Sequence, residues 1–158
     1  MVSLGAVRLD RALETSFYGR FAPLPSADFD GEALAVSGTR REDHLAYPDP
    51  LVTMQAFDGW LTEVNGASKP TFVSDNPAFD WQFVNYYFHR YLGRNPMGFS
   101  ARRIGDLYAG MLGDASKASE WKSLRRTAHT HHPVDDARGN AEALLVMADR
   151  GLRIPGLR

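Results

Sequence analysis

Residues 71–93 constrain this chain more than any other stretch. Thr71-Phe72-Val73-Ser74 is a short run of strand-forming residues. Asn76-Pro77 then reads as a helix start: asparagine can cap the free N–H groups of a first turn, and proline's fixed φ and missing N–H suit the first helical position. The helix extends to Leu92, and Gly93 can end it. Val84, Tyr87, Phe88 and Tyr91 make this helix heavily apolar, so Asp80, in its first turn, lies at the edge of a core. A strand feeding directly into a buried helix is the building unit of an α/β domain.

The flanking segments extend that unit. Residues 2–9 (VSLGAVRL) read as a short apolar strand, and residues 14–21 (ETSFYGRF) alternate like its hairpin partner. Residues 48–64 read as a helix capped by Asp49, with Pro50 in its first turn and an apolar stripe of Leu51, Met54, Phe57 and Leu61. Residues 99–104 (FSARRI) suit a strand, Asp106 can start a further helix, and residues 117–125 suit a short one. The last helix begins near Pro133, with Val134, Ala137, Ala141, Leu144 or Leu145, and Ala148 on its apolar face. This order predicts a single α/β domain over residues 1–158, with a mixed sheet flanked by helices.

Composition narrows the chemistry. The chain has no cysteine, which excludes disulfides, thiolate metal sites and cysteine nucleophiles and is compatible with the cytoplasm. A net charge of -1 gives no bulk attraction to nucleic acid, so such binding needs a local basic patch. Arg102-Arg103 and Arg125-Arg126 are the candidates. No apolar run approaches membrane-spanning length, and residues 1–5 do not form a signal peptide, so no membrane association is expected.

Two acidic motifs stand out. In Asn76-Pro77-Ala78-Phe79-Asp80, the carboxylate sits where a helix dipole stabilises it, and partial burial gives it a second possible partner, a cation. In His129-Thr130-His131-His132-Pro133-Val134-Asp135-Asp136, histidines on a loop precede aspartates in a helix's first turn. The second motif has three readings: a solvated loop with capping aspartates, a zinc site built from the histidine cluster, or a magnesium-type site with oxygen ligands from aspartate.

Taken together the motifs resemble the second and third motifs of the DEDDh-type 3′→5′ exonucleases, which have an RNase H-like fold. Asn76-Pro77-Ala78-Phe79-Asp80 matches Asn-x-x-Phe-Asp. His131-His132-Pro133-Val134-Asp135-Asp136-Ala137 matches His-x-Ala-x-x-Asp-Ala with proline in place of the first alanine, and only a start at His131 keeps the spacing. Val2-Ser3-Leu4-Gly5-Ala6-Val7 resembles the family's second strand, and Ala35-Val36-Ser37-Gly38-Thr39 resembles its small-residue loop that touches the 3′-terminal nucleotide. The likeness covers nearly the whole chain and is nearest to small bacterial and phage exonucleases.

The resemblance implies a two-metal phosphodiesterase using Mg²⁺ or Mn²⁺. Asp80 and Asp136 would be metal ligands and His131 the general base; Asn76, Phe79, Ser37, Gly38, Thr39 and Arg103 would contact substrate. The partner would be single-stranded or 3′-overhanging RNA or DNA, and the resemblance also admits a homodimer. The family's first motif, Asp-x-Glu, does not occur before Gly5. The domain is therefore expected to lack its first strand and two of four carboxylates, and residues 1–158 to be weakly active or inactive. A non-catalytic protein that binds nucleic-acid ends is the alternative.

Overall fold

The computed structural model describes residues 1–32, 34 and 38–157. Strand β1 (Ser3–Val7) pairs antiparallel with β2 (Ser16–Arg20), with Gly5 opposite Tyr18. Between them Asp10 Oδ1 accepts from the N–H groups of Ala12 and Leu13, closing a tight turn in which Leu13 takes a positive φ of 53°. A short helix, α1 (Arg41–Leu45), follows; the sequence reading had not marked it. Its Arg40–Asp43 box involves charged side chains rather than the usual serine or threonine.

Helix α2 (Pro50–Asn65) begins as expected, with Asp49 accepting from the Leu51 N–H. Its inward stripe is Thr53, Met54, Phe57 and Leu61; Leu51 is 39% exposed and does not belong to it. Thr53 takes that place because Gly19 of β2 has no side chain to keep it away, and its hydroxyl donates to the Arg20 carbonyl at 2.7 Å.

Strand β3 (Phe72–Ser74) leads into α3 (Pro77–Leu92), which ends at Gly93 with φ 68°. Asn76 makes no side-chain capping bond there, contrary to expectation; its carbonyl instead accepts from the N–H groups of Phe79 and Asp80. Strand β4 (Ala101–Arg103) pairs parallel with β3 and runs straight into α4 (Ile104–Leu112), so Asp106 lies in that helix's first turn rather than at its cap. Residues 115–124 form two 3₁₀ turns, Ala115–Lys117 and Glu120–Leu124, and α5 (Pro133–Asp149) closes the fold.

The two ladders are sandwiched between the same helical layers. Along β1 and β3, side chains alternate. Leu4, Ala6 and Phe72 pack on the core of Phe21, Met54, Phe57, Val84, Tyr87 and Phe88 under α2 and α3. Val73 faces the opposite side, against the cluster that α5 forms with α4 and Trp121, and Val7 packs on Leu13 and on Ala141 and Leu145 of α5. The expected mixed sheet therefore has both pairing senses, but as two two-stranded ladders among the described residues. Each fully buried aromatic or aliphatic chain, such as Phe21, Phe88 or Met54, contributes about 1.5–3 kcal/mol by leaving water.

One contact fixes the start of α5. A Cβ on Gly5 would overlap the backbone of Pro133 and Val134, so the helix crosses β1 at a point only glycine permits. No helix among the described residues is long and apolar enough to cross a membrane.

Candidate active site

Asp136 lies in the first turn of α5, its N–H donating to the His132 carbonyl at 3.0 Å. Before it, the loop of residues 129–132 folds back on itself because His131 adopts a positive φ of 62°. That turn sets the His129 and His131 rings 4.4 Å apart at 64°. The result is a cluster in which one ligand atom from each of His129, His131 and Asp136 lies within 4.8 Å of the others.

The chemistry of this group suits a cation. Asp136 Oδ1 is buried, and its polar neighbour is His129 Nδ1 at 2.7 Å. A buried carboxylate oxygen is costly unless it meets a donor or positive charge. The neighbouring imidazoles can supply lone pairs to a metal or, when protonated, charge of their own. Asp135 and His132 turn aside: Asp135 Oδ2 accepts from the Thr130 hydroxyl at 3.0 Å, and the His132 ring packs 5.0 Å from Tyr18.

Asp80 occupies the first turn of α3 and is not one of the three clustered groups. Burial pushes its carboxyl above the usual range; the Ser74 hydroxyl and Asn76 N–H oppose that shift, and the Asp75 charge adds to it. Ser74 is only 7% exposed, so this acid is held against the end of β3. Asp75 and His129 line one cavity of about 370 Å³. Asp80, His131 and Asp136 are not among the residues that line it.

The remaining expected residues are dispersed around it. Phe79 is 57% exposed, not core, and meets Phe83 edge-on at 5.2 Å; it lines a second, more apolar groove with Phe29 and Tyr86. Asn76 is exposed. Arg103 pairs opposite Ser74 in the β3–β4 register, one strand from the Asp80 turn, but its guanidinium is engaged by Asp106 at 2.9 Å. Gly38 has φ 67°, and Thr39 Oγ1 lies 2.5 Å from His44 Nε2, an imidazole buried at the end of α1. Ser37 lies outside the described residues.

For the exonuclease motif, sequence reasoning missed His129, which it named only within the histidine cluster of the zinc reading. The motif spacing set it aside, and only the reversal at His131 carries its ring to Asp136. Lys122 was also missed: it reaches Asp75 at 3.1 Å from a 3₁₀ turn that no motif marks.

The chain belongs to a family of 3′→5′ exonucleases and has the RNase H-like fold of a DEDDh nuclease domain. The 3′-5′ DNA exonuclease Cap18 of Escherichia coli is 34% identical over 150 residues, which span 90% of this chain and 79% of that protein. Among solved structures, the nuclease domain of 3′hExo, a DEDDh family member bound to rAMP, has the same fold with a TM-score of 0.72. That match has 16% identity and covers 96% of this chain and 82% of the other. No protein-family profile matches the chain.

Proposed function

We propose that this protein hydrolyses the terminal phosphodiester at the 3′ end of single-stranded or 3′-overhanging DNA, with divalent cations held at Asp80 and Asp136. The observation that carries the reading is the cluster of His129, His131 and Asp136, one ligand atom of each lying within 4.8 Å of the others. The choice of DNA is supported by the relative named as a DNA exonuclease.

Asp80 and Asp136 offer hard oxygen ligands, which suit Mg²⁺ or Mn²⁺. When bound, such ions lower the pKa of water and offset negative charge on the phosphate. His131 then takes the proton from the attacking water. The water oxygen bonds to phosphorus as the bond to the 3′ oxygen of the preceding sugar breaks. The products are a nucleoside 5′-monophosphate and a strand shortened by one nucleotide, whose new 3′ oxygen is protonated by solvent. Exposed Phe79 is suited to stack on the terminal base.

The test is a 5′-labelled single strand incubated with Mn²⁺ or Mg²⁺. Stepwise shortening with release of 5′-monophosphates is expected, and blocking the 3′ end should stop it. A second reading, a zinc-dependent hydrolase, is favoured by the presence of two imidazoles beside Asp136. Stoichiometric zinc in the purified protein would support it.

A further inference from the structure

The cavity between Asp75 and His129 is walled by Lys122, Arg125 and Arg126. These are three cations against one carboxylate. Asp75 engages Lys122 at 3.1 Å, which leaves the two arginines. Arg125 lies over the Trp121 ring at 5.1 Å and donates to the Asn140 side chain. Its Nε is buried with no acceptor. Arg126 is exposed and has no carboxylate at ion-pair distance among the described residues, although its charge reaches Glu142.

The loop that carries both arginines is clamped to α5. Glu142 accepts from the N–H groups of Arg126 and Thr127, at 2.8 and 2.7 Å, and from the Thr127 hydroxyl at 2.9 Å. Gly139 lets the loop come close: a Cβ there would stand 3.0 Å from the Thr127 carbonyl oxygen and 3.4 Å from Arg125 Cδ. One helix therefore holds Asp136 at the cluster and, nearly two turns on at Glu142, fixes the register of the loop that carries the two guanidinium groups.

We propose that this cavity seats a phosphate of the nucleic-acid strand next to the one that is hydrolysed, and so sets the strand's register against Asp136. The chemistry suits an oxyanion: Arg125 and Arg126 line one cavity with Lys122, and guanidinium groups donate readily to the non-bridging oxygens of a phosphodiester. The inference rests on reading the adjoining cluster as the hydrolytic site.

The test uses no turnover. Binding of a 5′-labelled single-stranded DNA decamer to the 158-residue chain is followed by anisotropy in metal-free buffer at several salt concentrations. Arg126→Ala should weaken binding about tenfold and lower the salt slope by about one. Arg126→Lys should restore the slope. Gly139→Ala should also weaken binding by displacing the loop. A decamer with an uncharged methylphosphonate at the linkage before the last should lose the same affinity, with Arg126→Ala adding little to that loss. The inference is overturned if Arg126→Ala leaves affinity and slope unchanged, or weakens the methylphosphonate strand as much as the normal one. It is also overturned if Arg126→Ala abolishes binding of thymidine 5′-monophosphate while strand binding is intact, because the cavity would then hold product. If this coupling is found but Mn²⁺ supports no cleavage, the hydrolase reading alone fails.

Discussion

His129 Nδ1 stands 2.7 Å from Asp136 Oδ1, across a loop reversed by the positive φ of His131. Two histidines therefore compete for roles at one carboxylate, and substitution separates them. His131 is the proposed base, so His131→Ala should lower turnover by about 10²–10⁴-fold. His129→Ala should retain turnover within about tenfold, because a cation can replace the imidazole at the carboxylate. Single-turnover cleavage with Mn²⁺ measures both.

Asp80 gives a pH prediction. Its pKa is raised on folding, mainly by burial. Such a carboxyl contributes stability that is present below its ordinary value of 3.8 and lost as pH rises through the folded value. At neutral pH the ionised form therefore costs stability, and Asp80→Asn should raise the melting temperature. The gain is at most about 2–4 °C, since the group is only half-buried and water screens it. It should vanish below about pH 4. Thermal melts of both proteins from pH 3 to 8, without metal, check it.

Much of this was legible beforehand because local chemistry decided it. Pro77 and Gly93 bracket α3 as read, and the alternation of residues 14–21 gave the hairpin partner. What failed was tertiary. Leu51 fits a helical stripe on paper, yet Thr53 is buried because Gly19 opposite it leaves room. The Asn76 side chain was expected to cap, but the backbone turn satisfies the first N–H groups without it. The motif spacing pointed to Asp136 and His131, which the structure brings together, and the histidine cluster of the zinc reading pointed to His129, whereas Lys122 reaches Asp75 from a 3₁₀ turn that no motif marks.

Gly5 tests how the site is held. Gly5→Ala should destabilise the protein by about 3 kcal/mol, a fall in melting temperature of about 6–12 °C, because the new methyl meets backbone that cannot rotate away. It should also weaken metal binding by shifting the start of α5, whereas Gly59→Ala, which meets nothing within 4 Å, should do neither. Calorimetry with and without Mn²⁺ distinguishes the two variants.

The central claim is that Asp80, His131 and Asp136 converge on divalent cations, and paramagnetic NMR tests it most directly. With substoichiometric Mn²⁺ added to the ¹⁵N-labelled chain, the amide signals of Asp80, His131 and Asp136 should broaden together, and Asp136→Asn should abolish the broadening at all three. Broadening confined to one of the two acidic motifs, or unchanged in Asp136→Asn, would contradict the account.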